Sequence, residues 1–206
     1  IRAVSMGITD NLSETIGTLL EHGRRQLAPR GTAAQLEAQL LLAHLLGSPR
    51  SALIAHPERA VPAAGAAAYR DLLARAAAGE PLAYLTGVRE FWSLPLAVTP
   101  AVLIPRPETE LAVERCLALL AGAPARLCDL GTGSGAIALA LGSERPSWQI
   151  TATDRSAQAL QVAQANARQL GRAIEFLQGD WLQPLQGRRF DLLVSNPPYV
   201  AATDPA

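Results

Sequence analysis

The stretch "LCDLGTGSGAIALAL", residues 127–141, decides the fold of this chain. A short apolar run stops at Leu130, three glycines follow at alternate positions (Gly131, Gly133 and Gly135), and an unbroken apolar segment then runs to Leu141. That order reads as strand, tight turn and buried helix. Glycine in such a turn tolerates positive φ and lets backbone amides approach a ligand at the positively polarised start of a helix. Working outward, the pattern predicts strands over 126–130, 149–154, 173–178 and 190–195, with helices over 107–121, 135–144 and 157–170. Strands alternating with helices imply a parallel sheet with right-handed crossovers, hence a Rossmann-like, doubly wound α/β domain. Four strands would leave the edge beyond the last one bare, so a longer parent chain, or a cover from outside these 206 residues, is expected.

Upstream the periodicity is helical. Asp10 is placed to cap a segment carrying Leu12, Ile16, Leu19 and Leu20, with Gly23 as its stop. Thr32 and Gln35 make a capping-box pattern ahead of Leu36, Leu40, Ala43 and Leu46, and Gly47 with Pro49 closes that helix. Pro62 opens another that runs to Gly79, and "SALIAH" offers a short fourth. The stretch "EFWSLPLAVTPAVLI" is then aromatic and β-branched, interrupted by Pro95 and Pro100, as in a hairpin. The expected organisation is a helical bundle over 1–88, a β-hairpin linker over 89–105 and the α/β domain over 106–206. Periodicity does not separate a simple cap from a partner-docking module for the bundle.

Composition removes several chemistries. Eighteen basic residues balance eighteen acidic ones, and no basic block is longer than a pair, which argues against an extended duplex-DNA face. All the basic residues are arginines, so neither a Schiff-base lysine nor a P-loop lysine exists. His22, His44 and His56 all precede the α/β domain, leaving it no histidine for a Ser-His-Asp triad and the chain no His/Cys cluster for zinc, so no metal is expected. Cys116 and Cys128 lie in apolar stretches and read as buried free thiols. No apolar run approaches the roughly 20 residues that span a bilayer, and no signal-peptide pattern opens the chain. The expected address is the cytoplasm, away from membranes.

Taken alone, the glycine loop admits two ligands. Gly131, Gly133 and Ala136 fit the dinucleotide fingerprint, and Asp154 ends the next strand where a ribose would be held. Asp129 just ahead of the loop tilts the balance. A carboxylate there repels pyrophosphate and suits a ligand bearing an ammonium and a sulfonium, S-adenosylmethionine. Its candidate contacts are Gly131, Thr132, Gly133, Ser134 and Gly135, with Asp154 for the ribose hydroxyls. Trp181 and Asp180, after the third strand, are candidates for the adenine face and its amino group.

The fourth strand runs into "VSNPPYV", residues 194–200. Proline fixes φ and carries no N–H, so Asn196-Pro197-Pro198 presents carbonyls with a rigid aim. A substrate nitrogen on a planar group, with two hydrogens, can give one to the Asn196 side-chain oxygen and the other to the Pro197 carbonyl. Tyr199 can pack on the planar group and face a sulfonium, a contact of about 0.5–2 kcal/mol. Alignment of this kind supplies roughly 7–11 kcal/mol without histidine, lysine or metal. Asn196, Pro197 and Tyr199 are therefore the candidate catalytic residues; Asn196, Pro197, Pro198 and Tyr199 form the substrate clamp, with Asn196 also beside the donor.

"DLGTGSGAIAL" together with "SNPPY" resembles the amino-methyltransferases that act on planar nitrogens. "GEPLAYLTGVREF" (79–91), "VLIPRPETE" (102–110) and the helical "LEAQLLLAHLLG" are similar to one branch, the peptide chain release factor glutamine methyltransferases (PrmC or HemK). The similarity runs from about Asn11 to Val200. It implies a class I S-adenosylmethionine-dependent methyltransferase domain, truncated by about three strands. The implied activity is N5-methylation of the glutamine in the Gly-Gly-Gln loop of class 1 release factors, by a monomer that does not touch nucleic acid directly. Arg106, Glu108 and Thr109 mark the family and are expected to organise the linker beside the site. An adenine-specific nucleic-acid methyltransferase, or a non-catalytic donor- or partner-binding module, stays open at this point, since the same tetrapeptide suits either planar nitrogen.

Overall fold

The computed structural model describes residues 14–120 and 124–197, and divides the chain into one unit ending at Thr86 and a second beginning at Gly87. The first unit is helical: α1 (Ile16–Gln26), α2 (Ala34–Leu46), α3 (Arg50–Ala55), α4 (Ala63–Ala77) and α5 (Leu82–Thr86). Ile16, Leu19, Leu41, Leu42, Leu53, Tyr69 and Leu73 make its buried core. The Tyr69 hydroxyl, 3.0 Å from the Ala38 carbonyl, donates to it inside that core, and burial raises the phenol pKa.

Three sequence expectations for this unit are corrected. Asp10 and Leu12 lie outside the described residues, and the cap of α1 is Thr15, whose side chain and backbone exchange hydrogen bonds with Thr18. Gly23 does not stop α1. It sits buried within the helix, because a Cβ there would come within 2.3 Å of the Tyr69 hydroxyl and 3.0 Å of Ala38. The Thr32 capping box does not form either: a 3₁₀ turn over Ala28–Ala33, bent at Gly31 (φ 81°, ψ −148°), feeds straight into α2, which has no side-chain cap. Gly47 ends α2 in the left-handed conformation, as the sequence predicts.

The second unit opens with the hairpin of β1 (Val88–Phe91) and β2 (Leu94–Ala97), joined by Trp92 and Ser93, both at positive φ. Two such residues in a two-residue loop match the right-handed twist of the strands. Phe91 and Leu96 sink into the core of this unit. A 3₁₀ turn (Pro107–Thr109) then leads into α6 (Glu110–Leu119), followed by β3 (Arg126–Leu130), α7 (Ala136–Glu144), β4 (Gln149–Asp154), α8 (Ala157–Gln169), β5 (Glu175–Gln178) and β6 (Leu192–Ser195). The last four strands form one parallel sheet in the order β5-β4-β3-β6. This is the Rossmann-like, doubly wound arrangement that the sequence predicts. α7 is apolar all round and buried from Ala136 to Gly142, as a helix packed inside the unit must be. Cys116 and Cys128 are free and buried, and burial pushes the Cys128 thiol up to about 12.

Candidate active site

The carboxyl ends of β3, β4, β5 and β6 form one edge, and the crevice outside such an edge is where ligands of parallel sheets bind. Gly131, Gly133 and Gly135 leave β3 with φ of 70°, 57° and 85°. Their surroundings differ. A Cβ on Gly131 or Gly133 would meet nothing within 4 Å, whereas one on Gly135 would lie 3.0 Å from Leu139 and 3.3 Å from Ala163. The first two face open space; the third lets α7 close against α8.

Four of the loop's amides are engaged within the protein, three of them by the end of β4. Gly131 and Thr132 both donate to the Thr153 carbonyl at 2.9 Å, and Gly135 donates to the Thr132 carbonyl at 2.9 Å. Gly133 donates to Asp154 Oδ2 at 2.9 Å. The expectation that these amides reach a ligand is therefore corrected for all four.

Asp129, in β3 beneath the loop, is 1% exposed. Its Oδ2 accepts from the Thr132 hydroxyl at 2.6 Å, while Oδ1 has no hydrogen-bond partner of ordinary geometry. Burial pushes the carboxyl up to about 6, against the pull of the Thr132 hydroxyl and the Ala138 amide, with the Asp154 charge adding to the rise. A buried carboxylate oxygen without a partner calls for a donor or a cation. The ammonium of S-adenosylmethionine fits that demand and the open space beside Gly131 and Gly133; a phosphate fits neither.

Asp154, at the end of β4, uses both oxygens within the protein: Oδ2 holds Gly133, and Oδ1 accepts from the Ser156 amide at 2.9 Å. Ser156 itself caps α8. Each carboxylate oxygen keeps a second lone pair for a ribose hydroxyl. Trp181 stands past β5, 55% exposed, with φ of 47°, a strained conformation for so large a residue.

The residue that sequence reasoning missed is Asn166. It is 1% exposed on α8; its Oδ1 accepts from the Ala97 amide (2.7 Å), and its Nδ2 donates to the Ala97 carbonyl (3.0 Å) and the Ser134 carbonyl (2.9 Å). It pins the end of the hairpin to the glycine loop. The available signal was a polar residue on the helix face otherwise formed by Ala159, Ala163 and Ala167.

β6 pairs with β3 in the register Leu130↔Ser195, and Ser195 Oγ donates to the Leu130 carbonyl at 2.8 Å. Asn196 therefore leaves the sheet directly beside Gly131. It is half-buried, and its Nδ2 donates to Thr109 Oγ1 at 3.0 Å. Pro197 is half-buried next to it. Pro198 and Tyr199, two members of the expected clamp, lie outside the described residues. At the other end of the strands a cavity of about 880 Å³ opens between Arg126, Trp148, Gln149, Glu175, Arg188 and Phe190. None of the motif residues lines it, and two of its charged groups, Arg188 and Glu175, are paired with each other.

Comparison with known proteins gives the family. The "Release factor glutamine methyltransferase" of Vibrio cholerae is 47% identical over 197 residues, which cover 94% of this chain and 69% of that one. The chain belongs to the release factor glutamine methyltransferase family. The enzyme of that name from Escherichia coli is 51% identical over 170 residues, covering 82% of this chain and 61% of that protein. For the one from Bordetella pertussis the identity is 52% over 172 residues, with 82% and 64% covered. The chain thus spans less than two thirds of these last two relatives. The PrmC N-terminal domain family matches residues 18–87, and the methyltransferase small domain family matches residues 111–205.

Proposed function

We propose that this protein moves a methyl group from S-adenosylmethionine to the side-chain amide nitrogen of the glutamine in the Gly-Gly-Gln loop of a class 1 release factor. The observation that carries this reading is the placement of Asn196: a carboxamide at the carboxyl end of β6, in register with the glycine loop of β3. The names of the relatives support the substrate. When bound, the donor supplies an electrophilic methyl on a sulfonium sulfur.

The chain's own residues do the rest. Asp129 Oδ1 pairs with the donor's ammonium, Gly131 to Gly135 leave room for its backbone, Asp154 accepts from the ribose and Trp181 covers the adenine. On the acceptor side, Asn196 Oδ1 and the Pro197 carbonyl each take one N–H of the substrate amide, whose lone pair is otherwise delocalised into the carbonyl. Pro198 and Tyr199 complete the grip on the planar group. With the methyl delivered by the donor, the substrate nitrogen would shed one of its two gripped protons to solvent, since the Asn196 oxygen and the Pro197 carbonyl can accept its hydrogen bond but cannot keep the proton. Holding that nitrogen in line with the methyl is an alignment effect, worth roughly 7–11 kcal/mol when the geometry is right. Residues 1–88 dock the release factor, the 89–105 hairpin links, and 106–206 carry the chemistry. The setting is the cytoplasm and the protein acts as a monomer; among the described residues no helix is long and apolar enough to cross a membrane.

Incubating the protein with radiolabelled methyl donor and either a release factor or duplex DNA tests this. Label on the Gly-Gly-Gln peptide is the expected result. Label in DNA alone would transfer the site to adenine, and donor binding without transfer to either would reduce it to a binding module.

A further inference from the structure

The "PRPETE" segment is left without a chemical role by the reading above, yet one of its residues touches the site. Asparagine presents an acceptor at one end of its carboxamide and two donors at the other, within nearly the same outline. A substrate NH2 can be gripped only by the acceptor end; the flipped side chain would set NH2 against NH2. Something must fix which way Asn196 faces. Thr109 Oγ1 lies 3.0 Å from Asn196 Nδ2, across 87 residues of sequence, and accepts from it.

Two further features mark this contact as built. Thr109 occupies the N-cap position of α6, where a threonine hydroxyl ordinarily accepts from a first-turn amide, and it makes no such cap. Its neighbours are anchored: the Thr109 amide donates to the Arg106 carbonyl at 3.0 Å, and Glu110 Oε1 accepts from the Trp92 amide at 2.9 Å, tying the segment to the hairpin turn. The hydroxyl is thus held at a fixed place and used away from its own helix.

We propose that Thr109 is a positioning residue: its hydroxyl holds the Asn196 carboxamide by the nitrogen and so turns the carbonyl oxygen toward the substrate amide. This rests on the function proposed above for Asn196. Thr109→Val keeps the shape and removes the hydroxyl, and Thr109→Ser keeps the hydroxyl. The expected result for Thr109→Val is a kcat about tenfold lower, the loss of one hydrogen bond, with donor Kd and the KM for release factor within about twofold of wild type. Thr109→Ser restores kcat. Should the valine variant fail to fold, Thr109→Ala takes its place.

A second readout needs no turnover. In ¹⁵N-correlated spectra the Asn196 side-chain NH2 pair should be displaced from random-coil shifts and slow to exchange with water in wild type and in Thr109→Ser, and move toward random-coil shifts with faster exchange in Thr109→Val. Unchanged kcat with an unchanged Asn196 amide in Thr109→Val overturns the proposal. If the wild-type protein labels no release factor, the function reading fails by itself, and the NMR comparison still decides whether Thr109 holds Asn196.

Discussion

The glycine loop and Asn196 end two neighbouring strands, β3 and β6, yet they are held in opposite ways. The loop is fixed by several partners: Thr153 takes two of its amides, Asp154 a third, Asn166 grips Ser134, and Thr132 is tied to Asp129. Asn196 is half-buried and reaches across to Thr109, with Ser195 fastening the strand just before it. A small-molecule donor of constant shape suits a site finished before it arrives. The proposed acceptor, a glutamine delivered on another protein's loop, suits a grip whose parts come from two distant segments of the chain. The contrast predicts that damage to the loop shows first in donor affinity, and damage around Asn196 shows first in turnover.

The sharpest test removes the carboxamide. Asn196→Ala should cut kcat by about 10³-fold, the scale of losing alignment and one oriented acceptor, while donor Kd moves less than about threefold. Equal losses in both quantities, from single-turnover kinetics and calorimetry, would break the division between the two sides.

Next in size is the staple. Asn166→Ala leaves the Ala97 amide, the Ala97 carbonyl and the Ser134 carbonyl without their partner in the interior. At about 1–3 kcal/mol for each buried unpaired group, partly relieved by relaxation, a stability loss of about 3 kcal/mol is expected from urea unfolding. Asn166→Asp keeps the acceptor but sets a buried carboxylate oxygen against the Ala97 and Ser134 carbonyls, so it should fall below alanine at neutral pH. A donor Kd unchanged in either folded variant would show that the loop holds its shape without Asn166.

How far the sequence foretold this contrast depends on distance along the chain. Strands 126–130 and 149–154 fall where their apolar runs place them, and the pairing of the first and fourth strands follows from the succession of strands and helices. The glycine loop was legible because its signal is local. Whether its amides face a ligand was not, since that turns on Thr153 and Asp154, about twenty residues away. Gly23 read as a stop because its reason for being glycine, Tyr69, belongs to another helix. The capping box at Thr32 failed because Gly31 bends the chain into a 3₁₀ turn just before it. Asn166 and Thr109 carry no local mark of their partners at all.

A smaller effect separates the sides by pH. Burial raises the Asp129 carboxyl from 3.8 to about 6. Between those values the folded protein keeps a proton that the unfolded chain releases, so this group favours folding below about pH 4, and that contribution is lost as the pH rises through about 6. Pairing with the donor's ammonium needs the ionised form, so affinity runs the other way. Donor binding should weaken about tenfold from pH 7 to pH 5 in wild type, and stay nearly level in Asp129→Asn from a weaker start. A level wild-type profile in calorimetry would remove Asp129 from the donor side.

Trp181 offers the finest cut. It is 55% exposed and held at φ of 47° past β5, a conformation that costs of order 1–3 kcal/mol for a residue this large. Strain at an exposed aromatic is retained when a bound partner repays it, and a stacked adenine would do so. Trp181→Ala removes the stacking surface and should weaken donor binding about five- to tenfold, leaving kcat at saturating donor within about twofold. Trp181→Gly relieves the backbone as well and should therefore melt at or above the temperature of the alanine variant, with the same affinity loss. Because Trp92 and Trp148 are the other tryptophans, and Trp148 is buried, fluorescence quenching by donor should largely vanish in both variants. Quenching that survives, with affinity intact, would leave the strain at residue 181 to be explained by the turn between β5 and the 3₁₀ segment Gln183–Leu185, where Gly179 already packs against Pro184.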